Sequence, residues 1–218
     1  MSLQEELDRF KSEFTRKLPA DKAHIMDEAD RALAATDLVE RALKVGDIAP
    51  DFHLPDATGR TVGLYETLAQ GPVILIFYRG GWCPYCNLEL RAYQRLLPEI
   101  RRAGAHLLAV TPEKPDDTLT TQEKNSLVFP VLSDITHSVS RSLGILFELP
   151  VPLQELYSRF GHALTEVNAS GEWMLPVPAT YVIDRNGKIL ARHLDTDYRV
   201  RMEPTDALAA LPRSVEVK

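Results

Sequence analysis

The chain has 218 residues, with 25 lysine and arginine residues against 31 aspartate and glutamate residues, which gives a net charge of −6 at pH 7. Its composition, 44% hydrophobic and 26% charged, is that of a globular protein and excludes a mainly disordered or disulfide-scaffold chain. The acidic balance argues against nucleic acid as a partner, and no apolar run approaches the ~20 residues that cross a membrane. The acidic N-terminus is unlike a secretory signal, so we expect a soluble, cytoplasmic protein.

The first 44 residues are predicted to form a helical extension ahead of the main domain, residues 45–218. Apolar residues recur there at helical spacings: Leu3, Leu7, Phe10 and Phe14 in a first helix, and Ile25, Met26, Ala29 and Leu33 in a second. Pro19 separates these two helices, and a short third helix is expected to stop near Gly46. We expect the extension to pack against the main domain or against a partner chain in a homodimer.

The main domain is predicted to alternate strands with helices. Residues 73–78 are a continuous β-prone run, which is typical of a central strand buried on both faces. A helix from Pro84 to Ala103 and a strand at 106–110 follow, which makes a βαβ unit with a right-handed crossover. Residues 145–176 contain several prolines and glycines and are expected to be irregular.

The later elements complete a mixed α/β pattern. Shorter segments are predicted as helices at 115–125, 136–143 and 205–211 and as strands at 129–132, 180–183 and 188–193. The last two strands flank Asp184-Arg185-Asn186-Gly187, and an Asn-Gly pair in this position is a strong hairpin signal.

The two cysteines of the chain, Cys83 and Cys86, lie at the start of the long helix. Pro84 suits the first helical position, which makes Cys83 the N-cap. A thiolate there can accept free amide groups of the first turn and is stabilised by the helix dipole, and both effects lower a thiol pKa. Helical spacing directs Cys86 to the core and leaves Cys83 at the rim of the core. Dithiol–disulfide exchange needs this arrangement, in which an exposed thiol attacks and a protected thiol resolves.

Two other interpretations of the cysteine pair are weaker. A zinc site needs further ligands, but there are no other cysteines and the six histidines are scattered singly. Inert buried cysteines are common, but this pair follows a central strand, at the strand end where α/β sites form. We therefore expect a redox-active dithiol and neither a metal nor an organic cofactor.

The segment Trp82-Cys83-Pro84-Tyr85-Cys86, between a strand and a long helix, resembles the active site of the thioredoxin fold. Its Cys-Pro-Tyr-Cys tetrapeptide is similar to that of glutaredoxins. Downstream, Val177-Pro178-Ala179-Thr180 resembles the cis-proline loop of thioredoxin-like proteins. The resemblance implies that Pro178 is cis and faces the cysteines, where it would shape the docking site of a substrate.

The chain is most similar to peroxiredoxins of the AhpC/TSA superfamily, in the subgroup with a Gly-Gly-Trp-Cys-Pro-Tyr-Cys site. Besides the cysteine motif, the segments that carry this resemblance are 46–52, 77–79, 129–134, 180–184 and 198–204. They cover residues 45–208 and imply a thioredoxin-like central sheet flanked by helices.

The sequence departs from the peroxiredoxin signature P-x-x-x-T-x-x-C. When this signature is aligned with the segment that starts at Phe77, Cys86 corresponds to the peroxidatic cysteine. Cys83 then stands at the threonine position and Arg79 at the proline position. A later arginine of the family corresponds to Pro178. Arg79 is either a substitute positive charge or a solvated surface residue. The thioredoxin resemblance selects Cys83 as the nucleophile and the peroxiredoxin resemblance selects Cys86, so both stay open.

Other residues near the motif are secondary candidates. Trp82 is expected beside the site and Tyr85 is expected to be exposed within it. Glu113, just after a strand, is either a proton acceptor near the thiols or an acidic residue at a helix start. Arg199 and Arg201 either bind an anion or form salt bridges on the surface.

The resemblance implies a thiol-dependent peroxidase that reduces hydrogen peroxide or organic hydroperoxides through a Cys83/Cys86 dithiol–disulfide cycle. Thioredoxin, glutaredoxin or glutathione would be the reductant. A thiol–disulfide oxidoreductase is the alternative, and a redox-sensing module whose cysteines switch an interface is a third hypothesis.

Overall fold

A computed structural model describes residues 1–212 and shows ten helices and nine strands in that range. The helices are α1 Leu3–Lys17, α2 Ala20–Ala34, α3 Leu38–Arg41, α4 Leu64–Leu68, α5 Pro84–Arg102, α6 Pro115–Asn125, α7 Ser138–Ser142, α8 Val151–Arg159, α9 Leu164–Val167 and α10 Pro204–Ala209. The strands are β1 His53–Pro55, β2 Thr61–Gly63, β3 Val73–Phe77, β4 His106–Thr111, β5 Val131–Ser133, β6 Leu146–Glu148, β7 Met174–Pro176, β8 Ala179–Ile183 and β9 Ile189–Leu194.

Five strands form the central sheet in the order β5-β4-β3-β8-β9. Strands β3, β4 and β5 are parallel, whereas β8 is antiparallel to both of its neighbours. The sheet is therefore mixed, as predicted, and the β3–α5–β4 unit supplies its parallel centre. The hairpin predicted at Asn186-Gly187 is confirmed by the β8–β9 pairing.

The central strand β3 divides the core into two layers because its side chains alternate between the faces of the sheet. Ile74 and Ile76 pack in the layer that contains both cysteines and the inner face of α5. Val73, Leu75 and Phe77 pack in the opposite layer with α4 and α7. Both faces are covered, which explains why the sequence of β3 is apolar throughout.

The N-terminal helices pack against the main domain of the same chain, one of the two alternatives that the sequence left open. Helix α1 contacts α5 and helix α2 contacts α8. Met26 and Ala29 of α2 share a separate apolar cluster with Leu153 and Leu156 of α8. No helix of residues 1–212 is both long and apolar enough to cross a membrane.

The expectation that residues 145–176 are irregular was wrong. Strands β6 and β7 pair in this segment, with α8 and α9 between them. Pro150 is the N-cap of α8 and Pro152 lies in its first turn, where a missing amide proton costs nothing. These prolines start the helix, and the buried Leu153, Leu156 and Tyr157 follow at its spacing.

Candidate active site

The cysteine pair lies where β3 leads into α5. Cys83 is the N-cap of α5 with an extended backbone, as predicted, and its amide donates a hydrogen bond to the Gly80 carbonyl oxygen at 3.1 Å. Its own carbonyl oxygen accepts the amide of Asn87 at 3.1 Å, so the turn and the first helical bond fix the backbone on both sides of Cys83. Its side chain, however, makes no capping hydrogen bond.

Two glycines allow this turn to form. Gly80 has a φ of +148°, and a Cβ built on it would lie 2.3 Å from Trp82 Nε1. A Cβ on Gly81 would lie 2.0 Å from Thr121 Oγ1. Neither contact is possible for a real side chain, so the Gly-Gly pair is required by the close packing of Trp82 and α6 against the turn.

Both cysteines are buried free thiols, 2% exposed at Cys83 and none at Cys86. The prediction that Cys83 lies exposed at the rim was therefore wrong, because Trp82, Tyr85 and the N-terminal helices cover the start of α5. Cys83 nevertheless lines a cavity of about 400 Å³. Cys86 lines neither this cavity nor the neighbouring one of about 480 Å³.

Arg79 lines both of these cavities, as do Tyr157 and Tyr198. It is only 4% exposed, so the interpretation as a solvated surface residue was wrong. Its guanidinium carbon lies 4.3 Å from the ring centre of Tyr198, 4.9 Å from that of Trp82 and 5.5 Å from that of Tyr157. These aromatic faces hold the cation beside the cysteine pair.

Arg201, which the sequence placed either at an anion site or in a surface salt bridge, lies next to Cys86. Instead of lying on the surface it is 5% exposed and forms a buried ion pair with Glu89 of α5. Its Nη2 lies 3.8 Å from Cys86 Sγ. No short-range spacing predicts a contact between residues 115 positions apart, so only tertiary packing reveals it.

Arg199, two positions earlier, fits the salt-bridge interpretation. Its guanidinium pairs with Asp30 of α2 at 2.8 Å and with Asp197 at 2.5 Å. It therefore links the segment that carries Arg201 to the N-terminal extension, and does not contact the cysteines.

The two thiols titrate in opposite directions. Burial opposes ionisation of Cys83, but a hydrogen bond from the Cys86 thiol and the charges of Arg79 and Arg201 together outweigh it and lower the pKa of Cys83 to about 6. Burial, its hydrogen bond to Cys83 and the Cys83 charge raise the pKa of Cys86 well above its ordinary value. The charges of Arg79 and Arg201 each lower the pKa of Cys83 more than the backbone amide of Cys86 does.

Glu113 lies against the cysteine turn and directly before Lys114, the N-cap of α6. It is 3% exposed, and its carboxylate accepts the amide of Gly81 at 2.9 and 3.0 Å. Burial, only partly offset by this hydrogen bond, raises the pKa of Glu113 to about 7. A role as proton acceptor for the thiols stays a prediction.

Two aromatic residues of the motif, Trp82 and Tyr85, both lie close to the cysteine pair. Trp82 packs beside Cys83 in the same cavity, as expected. Tyr85 is 4% exposed, so its predicted exposure was wrong; its ring lies edge-on between Phe10, at 5.0 Å, and Tyr198, at 5.5 Å.

Pro178 is buried between β7 and β8 and lines the larger cavity together with Arg79. None of the peptide bonds in the described part of the chain is cis, so the prediction of a cis-proline was wrong. The chain passes from β7 to β8 in trans, with the Val177 amide held by Ile145. Pro178 lines the cavity of about 480 Å³ and does not line the cavity that reaches Cys83.

Comparison with known proteins matches residues 45–192 to the model of the AhpC/TSA family. The chain belongs to the AhpC/TSA family. The match includes Arg79, Cys83 and Cys86, whereas Arg201 and the N-terminal helices lie outside it.

Individual relatives agree with this assignment. Peroxiredoxin Bcp of Escherichia coli K12 is 35% identical over 103 residues, which are 47% of this chain and 65% of that protein. The crystal structure of peroxidoxin BcpB from Mycobacterium tuberculosis is 26% identical with a TM-score of 0.61, covering 77% of this chain and 96% of that one. A bacterioferritin comigratory protein from Xanthomonas campestris shares the fold, at 19% identity and a TM-score of 0.57 over 73% of this chain and 88% of that one.

Proposed function

We propose that this AhpC/TSA protein is a thiol-dependent peroxidase in which Cys83 attacks the peroxide and Cys86 resolves the product. The observation that carries this assignment is the asymmetry of the pair. Cys83 faces a cavity and has a lowered pKa, whereas Cys86 is fully enclosed and has a raised pKa. An attacking thiolate must be both ionised and reachable, and only Cys83 meets both conditions.

The reaction balances with the groups present. The Cys83 thiolate attacks one peroxide oxygen, so that an S–O bond forms, the O–O bond breaks and an alkoxide or hydroxide leaves and takes up a proton. Cys86 then attacks the sulfur of the Cys83 sulfenic acid, which forms the disulfide and releases water. One peroxide is reduced by two electrons, and two thiols are oxidised to one disulfide.

Two arginines supply the positive charge for these steps. Arg79 lies on the cavity side and favours the Cys83 thiolate, and its guanidinium faces the charge that develops on the leaving oxygen. Arg201 lies on the enclosed side within 3.8 Å of Cys86 Sγ, where it favours the thiolate that must form for resolution. The sequence departs from the peroxiredoxin pattern at its proline, threonine and arginine positions. In this proposal, Arg79 and Arg201 together do the work of the residues that are missing there.

Two thiol groups of a reductant, from one dithiol or from two molecules of a monothiol, return the disulfide to the thiol form. Thioredoxin, glutaredoxin or glutathione would serve, and a cytoplasmic location would supply any of them. Because both sulfurs are buried, the start of α5 has to open before a protein reductant reaches the disulfide. The same burial disfavours a thiol–disulfide oxidoreductase acting on folded proteins, which would need an exposed attacking thiol.

Stopped-flow mixing of reduced protein with peroxide tests the proposal, with Trp82 fluorescence as the signal. A Trp173→Phe background removes the other tryptophan of the chain. We expect oxidation much faster than that of a free thiol of the same pKa, loss of this reaction in Cys83→Ser, and accumulation of a dimedone-reactive sulfenic acid in Cys86→Ser. Oxidation no faster than a free thiol would leave disulfide exchange or redox sensing, and fast oxidation of Cys83→Ser would make Cys86 the attacking thiol.

A further inference from the structure

The cavity that reaches Cys83 is walled on one side by the N-terminal extension. Its volume is about 400 Å³, and α1 and α2 contribute Phe10, Phe14 and Met26 to its lining. The opposite wall includes Trp82 and Cys83 itself. Without the first two helices, this side of the attacking thiol would be open to solvent.

The wall is fixed to the rest of the active site. The Glu203 carboxylate accepts the amides of Leu3 and Gln4, at 3.1 and 2.8 Å, at the start of α1. The 2.8 Å pair between Arg199 and Asp30 holds α2. Both contacts come from the segment that also carries Arg201, so the extension and the cysteine environment are held by the same stretch of chain.

The cavity is largely apolar, and its lining contains two cationic side chains, the buried Arg79 and the exposed Lys17. Arg79 donates a hydrogen bond to the Tyr157 hydroxyl, and its Nε has no partner among the residues described. Within residues 1–212, Arg79 takes part in none of the salt bridges. An occupant that complements this site has an apolar body and one polar group that becomes negative beside Cys83.

We propose that the N-terminal helices are a specificity element, in which Phe14 and Met26 bind the apolar group of an organic hydroperoxide while its O–O bond reaches Cys83. This inference rests on the proposed peroxidase function. Hydrogen peroxide has no apolar group, so it gains nothing from this wall. The apolar contact therefore discriminates between two substrates that undergo the same chemical step.

Rate constants for cumene hydroperoxide and hydrogen peroxide test the inference in Met26→Ala and Phe14→Ala. We expect the second-order rate constant for cumene hydroperoxide to fall about tenfold, the usual effect of losing apolar contacts in a pocket. The rate constant for hydrogen peroxide should stay within twofold of wild type. Leu33→Ala is the matched control, because Leu33 lies on α2 but lines the other cavity, and it should change neither rate.

A second variant guards against local unfolding of the wall. Met26→Phe fills the cavity instead of enlarging it, and should slow cumene hydroperoxide while sparing hydrogen peroxide. If the variants slow both peroxides equally, or leave the cumene hydroperoxide rate unchanged, the extension is not a specificity element.

Binding of the unreactive product 2-phenyl-2-propanol separates this inference from the peroxidase assignment. In Cys83→Ser, we expect the alcohol to change Trp82 fluorescence, with at least a tenfold weaker affinity once Met26→Ala is added. Equal affinity in both proteins would overturn the inference. A wild-type protein that reacts rapidly with neither peroxide would instead refute the peroxidase function, whatever the alcohol does.

Discussion

Replacing Arg201 should slow the resolving step more than the peroxide step. The guanidinium Nη2 lies 3.8 Å from Cys86 Sγ, and both residues are buried. Opposite charges at this distance attract by about 4 kcal/mol at an effective dielectric of ~20. Loss of that attraction raises a thiol pKa by up to about three units.

The expected change in rate is smaller than the change in ionisation. Three units lower the thiolate fraction of Cys86 about 1000-fold, but a more basic thiolate is a better nucleophile and recovers a little under half of that loss on a logarithmic scale. We therefore expect disulfide formation to slow about 30-fold. The attack of Cys83 on peroxide should change far less, because Arg79 also favours its thiolate.

The substitution has to be made without leaving a lone buried charge. Arg201→Met alone would strand the carboxylate of Glu89, which is 1% exposed, at a cost of about 3–5 kcal/mol in stability. The double variant Glu89→Gln/Arg201→Met removes both members of the pair. Arg199→Met is the matched control, because that arginine is close in sequence but pairs with Asp30 and Asp197.

Rapid quenching after a single pulse of peroxide measures the step directly. Dimedone traps the Cys83 sulfenic acid, and mass spectrometry follows its decay into the disulfide. We expect the sulfenic acid to live up to about 30 times longer in the double variant, since removing the Glu89 charge, which opposes ionisation of Cys86, offsets part of the loss of Arg201. The lifetime should be unchanged in Arg199→Met. A lifetime within threefold of wild type in the double variant would refute the assignment of Arg201 to the resolving thiol.

Three further changes test the electrostatics and the anchoring of the site. Arg79→Met should raise the pKa of Cys83 from about 6, so half-maximal alkylation by iodoacetamide should move to higher pH; an unchanged midpoint would remove Arg79 from the thiolate's environment. The pKa of Glu113 in the folded state, about 7 against an ordinary value of 4.5, means that its contribution to stability is full below pH 4.5 and is lost as pH rises to about 7. Glu113→Gln should therefore flatten this part of the pH dependence in urea unfolding, by up to about 3 kcal/mol, and an unaltered pH profile would contradict the shift. Glu203→Ala should cost about 1 kcal/mol and speed hydrogen exchange at the start of α1, whereas unchanged exchange there would show that the carboxylate does not anchor the helix.

Much of the fold follows from local patterns in the sequence. The continuous apolar run of β3, the Cys-Pro step at the start of α5 and the Asn-Gly hairpin are each encoded within a few residues, so each was predicted correctly. Local patterns gave a wrong prediction where one residue type is compatible with two structures. Prolines that break a helix also begin one, and the segment containing α8 was therefore taken as irregular.

By itself, the sequence determined that a dithiol lies at the start of a helix behind a central strand, because helix caps, periodicity and turn residues are encoded within a few positions. It did not determine how deeply each thiol is buried or which charges surround the pair. Those depend on Arg79 being enclosed by aromatic rings, on the extension covering the site, and on Arg201 reaching Cys86 from 115 residues away. Burial and charge proximity are properties of segments brought together by folding, so only the tertiary structure decided them.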